Sequence, residues 1–129
     1  MRILLAIIIG LANSYAPFAT AAAEPVDVTV KLFQGRAEVS IGIKCEGAAC
    51  SLIKSTANTR VTRAIVREDA TYFLNEISKL PAAKIQGACG RRSMRIEGAT
   101  KAPIEKCLDG KSTSKEPFFR LFRGLDASF

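Results

Sequence analysis

Residues 26–45, VDVTVKLFQGRAEVSIGIKC, decide the fold. Val26, Val28, Val30 and Leu32 alternate with Asp27, Thr29 and Lys31, so an extended chain puts aliphatic side chains on one side and polar ones on the other. Gln34-Gly35 interrupts the run as a turn signal. Ala37, Val39, Ile41, Ile43 and Cys45 then alternate with Glu38, Ser40, Gly42 and Lys44. Two period-two runs joined by a turn make a β-hairpin with one apolar face, and that face requires a cover.

The downstream sequence supplies further strands and the cover. Residues 46–49, between two cysteines, read as a tight loop, and 51–56 as a short strand. Residues 59–66 carry two readings: their β-branched content favours a strand, but Val61 and Ile65 also fit one face of a helical turn. Residues 68–80 read as a helix, with Ala70, Phe73, Leu74, Ile77 and Leu80 on one face. Glu68 and Asp69 lie at its positive end, Lys79 lies at the other, and Pro81 stops the hydrogen-bond ladder. Residues 93–97 and 102–107 are two more short strands, punctuated by Gly98. After a polar loop at 109–114, residues 115–126 read as a second helix with an apolar stripe of Phe118, Leu121, Phe122 and Leu125. Strands, helix, strands and helix in that order predict the α+β class: a small antiparallel sheet packed against two helices.

Upstream of the hairpin, Arg2, a ten-residue apolar run at 3–12 and Ala21-Ala22-Ala23 have the form of a secretory signal peptide. Residues 1–23 are therefore read as a cleaved leader and 24–129 as one small domain, periplasmic or secreted. The apolar run falls well short of the roughly 20 residues that span a bilayer. In an oxidising compartment Cys45, Cys50, Cys89 and Cys107 are expected to form two disulfides. Four cysteines permit three connectivities; nearest-neighbour pairing selects Cys45–Cys50 and Cys89–Cys107, the second bracketing the 93–107 strand pair. Metal is a poor reading of these thiols, because the spacings are not those of a zinc ribbon and the chain has no His.

Charge is uneven along the chain. Residues 24–78 carry seven basic and seven acidic side chains, whereas 79–123 carry eleven basic and four acidic. Arg91, Arg92 and Arg95, with Lys101 and Lys106 in the expected partner strand, form the candidate site for an anionic partner, since guanidinium forks match carboxylate and phosphate. That partner is an acidic protein or an anionic envelope component. Nucleic acid is a poor fit, because stacking aromatics are absent from the cluster. Contact of 115–126 with a membrane surface is the less favoured use of that helix, and docking on the sheet the more favoured.

Several enzyme classes are excluded or unsupported. Without His there is no Ser–His or Cys–His pair. No C-x-x-C motif and no Gly-rich phosphate loop is present, and no cofactor is implied. The expectation is a non-catalytic binding, inhibitory or accessory module with a basic face. The second reading is a small envelope hydrolase with a His-free site.

Overall fold

The computed structural model describes residues 24–85, 87, 89–108 and 116–129; the expected leader and the polar loop at 109–114 lie outside the described residues. β1 (Val26–Gln34) and β2 (Ala37–Glu46) form the expected hairpin, in a register that pairs Val28 with Ile43 and Val30 with Ile41. Directly opposed residues of an antiparallel pair share a face. The register therefore gathers the aliphatic residues of both strands on one side, where Val28, Val30, Leu32, Ile41 and Ile43 are buried.

β3 (Ala49–Ser55) returns along β2 through a two-residue reversal at Gly47-Ala48. Gly47 sits at φ +63°, which glycine adopts without the penalty a Cβ incurs. The reversal sets Cys45 opposite Cys50, with Cα atoms 4.1 Å apart, and the two are joined by a disulfide. β4 (Arg60–Ile65) then pairs with β3 from Arg60 opposite Ser55 to Ile65 opposite Cys50, so the ambiguous segment is a strand over 60–65, and Val66 caps the helix that follows. Val61 and Ile65 fitted both readings because positions four apart share a face in a strand as well as in a helix.

α1 (Arg67–Ser78) crosses back over the buried face, and β5 (Arg92–Glu97) inserts beside β1. β6 (Ile104–Cys107) pairs with β5, and α2 (Pro117–Asp126) closes the chain. The sheet has six antiparallel strands in the order β4-β3-β2-β1-β5-β6. The second disulfide joins Cys89, ahead of β5, to Cys107 at the end of β6, with Cα atoms 5.4 Å apart. Both predicted pairings are therefore the observed ones, and no described cysteine is free.

Both helices lie across the strands on the same side of the sheet. α1 starts beside the β2–β3 turn, where the Arg67 guanidinium donates to the Gly47 carbonyl, and its last turn borders a cleft whose other lining includes Val26 and Val28 of β1 and Ile104 of β6. α2 runs the other way: Phe119 lies by Arg92 of β5, and Asp126 meets Lys54 of β3 at 2.5 Å. Phe118, Leu121, Phe122 and Leu125 are buried in the core, so the apolar stripe of 115–126 docks on the sheet as expected. Glu116 caps α2 by accepting a hydrogen bond from the Phe118 amide at 3.3 Å. The core has no buried charged or polar residue among the described positions.

The two sheet edges are handled differently. β6 is covered by the segment after α1, where the Ala83 carbonyl accepts a hydrogen bond from the Glu105 amide at 2.9 Å. β4 carries Arg60 and Arg63, charges of the kind that blunt an exposed edge.

Two stability outcomes follow. At Gly98, φ is +90° and a Cβ would lie 2.3 Å from the Asp27 carbonyl oxygen. Gly98→Ala adds left-handed strain to a backbone overlap and is expected to destabilise by on the order of 3 kcal/mol or more, read from urea unfolding midpoints at unchanged slope. Chain entropy assigns roughly 3 kcal/mol to the Cys89–Cys107 loop and roughly 2 to the shorter Cys45–Cys50 loop. Paired Ser substitutions in each bridge should therefore rank in that order by thermal unfolding.

Candidate functional site

The five basic residues singled out in the sequence do not share one face. Strand alternation sends neighbours to opposite sides, and the β5 register fixes which goes where. Arg92 and Met94 face the helices, and Arg95 faces the open side. The Arg92 guanidinium lies 5.6 Å from the centre of the Phe119 ring, and Arg123 approaches the same ring at 5.9 Å. These are cation–π distances. On the open face, Arg95 Nε is 3.1 Å from Glu97 Oε1, close enough to pair but misaligned for a hydrogen bond. Lys31 Nζ lies 3.1 Å from the same carboxylate oxygen and 3.9 Å from Glu38 Oε1. Two cations and two carboxylates thus alternate there, and the open face around Arg95 is not a positive field.

The remaining three lie elsewhere. Arg91 precedes β5 as an exposed residue, its carbonyl accepting the Gly35 amide at 2.9 Å. Lys106 pairs with Met94 and is exposed on β6. Lys101 falls outside the expected strand, because β6 begins only at Ile104; it belongs to the β5–β6 connection instead. Of the five, Lys101 lines a cavity.

That cavity is a cleft of about 900 Å³ at one corner of the helix-covered face. Its floor is core: Val28 of β1, Ile77 of α1 and Ile104 of β6 are buried. Its walls are the half-buried Val26, Leu74, Leu80 and Ala83. Its exposed lining includes the connection from Gly98 to Pro103 together with Lys84. The sequence placed Leu74 and Leu80 on the apolar stripe of α1 together with Phe73 and Ile77. The structure buries Ala70, Phe73 and Ile77 but leaves Leu74 and Leu80 half-exposed, because they face the cleft rather than the sheet.

Local chemistry explains how the corner is shaped. Pro81 ends α1, and the following residues extend past β6, tied by the Ala83–Glu105 hydrogen bond. Gly98 packs against the β1 backbone at Asp27 and Val28, which draws the β5–β6 connection over the start of β1. Thr100 Oγ1 donates to the Ala102 carbonyl at 2.5 Å and stiffens that connection. Ser78 Oγ donates to the Asn75 carbonyl at 2.6 Å. Both lining hydroxyls are therefore spent on backbone carbonyls, and neither is hydrogen-bonded to a lysine. Among the described residues no three His, Cys, Asp or Glu side chains gather into a metal-binding group.

Asp27 also lines the cleft, but through its backbone. It pairs with Lys44, one position out of phase with the buried Val28, so its carboxylate projects from the open face. The charges left at the rim are Lys84 and Lys101, and neither forms an ion pair with a described residue.

The sequence reading missed this site because none of its parts is a motif. The available signal was the excess of apolar positions on α1 beyond what one contact stripe needs, together with the small residues Ala82, Ala83, Ala99 and Ala102 that leave space around them. No protein-family model, curated protein or solved structure matches the chain.

Ion pairs on the open face are partly exposed, so they contribute little. Arg95→Gln is expected to lower stability by under about 1 kcal/mol in urea unfolding, far less than the roughly 2–5 kcal/mol expected for Leu125→Ala in the core.

Proposed function

We propose that this chain is an exported, non-catalytic binding module, periplasmic or secreted, that takes up an apolar ligand in the cleft between α1 and the β5–β6 connection. One observation carries the reading: about 900 Å³ of space floored by core aliphatics and left open at its rim. Concave, mostly apolar sites of this size are where proteins hold small molecules.

Export is supported by two independent features. The leader pattern at 1–23 ends in small residues, and the four cysteines of the chain are paired in two disulfides, as oxidising compartments allow. No helix among the described residues is long and apolar enough to cross a membrane. A binding role rather than a catalytic one is supported by the lining itself, where the hydroxyls of Ser78 and Thr100 donate to backbone carbonyls instead of to a base.

The anionic partner expected from the sequence moves with this reading from the sheet face to the cleft rim. Lys101 is retained from the original cluster and Lys84 joins it. Arg92 and Arg95 serve the fold, through the Phe119 ring and the Glu97 carboxylate.

The oxidised protein can be tested with anilinonaphthalene sulfonate, an apolar probe bearing one negative charge. The chain has no Trp, so Ala102→Trp at the exposed rim places a single reporter at the cleft. One probe per chain should bind with a negative heat-capacity change while unfolding stays cooperative, and the introduced tryptophan should be quenched in step. Saturable probe binding that leaves the tryptophan emission unchanged, or no binding by the cooperatively folded protein, would contradict the proposal.

A further inference from the structure

Resting on that reading of the cleft, we infer that its ligand is a single aliphatic chain ending in an anionic head group, a free fatty acid. The first observation is the character of the walls. Every apolar residue lining the cleft is aliphatic: Val26, Val28, Leu74, Ile77, Leu80 and Ile104 provide the main surface, with Ala and Pro side chains between them. Among the described lining residues no aromatic side chain is present to stack on a flat ring, which is the usual device for holding one. Branched aliphatic walls match a flexible methylene chain, whose burial is driven by area alone and needs no directional contact.

The second observation is the one-sided charge. Lys84 and Lys101 both line the cleft from exposed positions, one in the segment after α1 and one in the β5–β6 connection. The one acidic residue of the lining, Asp27, turns its carboxylate to the other face of the sheet. A group at the mouth of the cleft therefore meets two ammonium groups and no carboxylate from the lining. Ammonium groups on flexible stems are suited to a freely oriented carboxylate at a solvent boundary. The third observation is the absence of spare donors deeper in. Ser78 and Thr100 already donate to backbone carbonyls, so no lining side-chain donor is left for a polar group along the ligand's body. The lysine end is then the favoured place for the ligand's polar part, with hydrocarbon along the aliphatic walls.

The test uses the full oxidised protein and a series of saturated carboxylates of eight to fourteen carbons, each below its micellar concentration, followed by calorimetry. Each buried methylene is worth a fixed increment of area, so affinity is expected to rise on the order of tenfold per two carbons and to level off once the cleft is full. The twelve-carbon carboxylate is expected to bind roughly tenfold more tightly than the twelve-carbon alcohol at low salt, and that preference should shrink as salt rises. The double variant Lys84→Gln, Lys101→Gln should lose the preference while keeping the alcohol's affinity. Both lysines are exposed, so folding is expected to survive the change.

Equal affinity of carboxylate and alcohol in the unmodified protein would overturn the head-group assignment and leave the binding module standing. Binding of the sulfonate probe without binding of any straight chain would overturn the acyl assignment alone. Failure of every chain and of the probe would bring down both readings. Attachment to vesicles of anionic phospholipid without uptake of the monomeric carboxylates would also overturn the inference, since it would place the interaction on a surface rather than in the cleft.

Discussion

A sheet with one apolar face must be covered, and here the cover is shorter than the sheet is wide. Six strands at about 4.8 Å spacing set the outer strands roughly 24 Å apart. The twelve residues of α1 extend only about 18 Å and the ten of α2 about 15 Å. Because both helices run across the strands, neither reaches from edge to edge. α2 covers the span from β5 to β3, while α1 begins by β4 and runs out above β1. The corner over the start of β1 and the start of β6 is bridged only by extended chain. The cleft is the geometric remainder, and its lining is what the core shows when left half-dressed.

That remainder persists because its boundaries are pinned. Gly98 lets the β5–β6 connection approach the β1 backbone more closely than any side chain would allow. The Cys89–Cys107 bridge ties the entry to β5 to the end of β6, and the Ala83–Glu105 hydrogen bond fixes the far wall. Next along the sheet, where Cys45 pairs with the cleft-lining Val26, the Cys45–Cys50 bridge locks the reversal beside which α1 starts. Four short constraints within the fold thus hold the cleft. A cavity preformed in this way costs little ordering when occupied.

The hairpin of β1 and β2 was fully legible in the sequence, since alternation and a central glycine are local properties. The disulfides were legible for a related reason: nearest neighbours along the chain pair here because each bridge closes a single reversal, β2 to β3 or β5 to β6. The two helices appeared in the stripe of Phe73 and Ile77 and in that of Phe118, Leu121, Phe122 and Leu125, with ends off by two residues or fewer. The 59–66 segment was ambiguous on physical grounds, since a spacing of four satisfies both periods. What the sequence could not convey was relative placement. Arg92 and Arg95 look adjacent in a list of cations, yet strand alternation sends them through opposite faces, one to an aromatic ring and the other to a carboxylate. Lys84 and Lys101, unremarkable in the chain, come to one cleft only through the crossing of α1 and the fold-back at Gly98. Burial of Leu74 and Leu80 was overestimated for the same reason, because a stripe reveals which way a helix faces but not where its partner ends.

The claim on which this account turns is that one corner of the apolar face is uncovered and open. Solvent paramagnetic relaxation of methyl groups, recorded by NMR on the oxidised, ligand-free protein with a small neutral gadolinium chelate, measures that directly. The account predicts strong broadening of the Leu74 and Leu80 methyls, with Leu52, Leu121 and Leu125 remaining sharp under the same conditions. Equal protection of all five leucines would mean that the helices and their connections close over the sheet completely, leaving no cleft to fill.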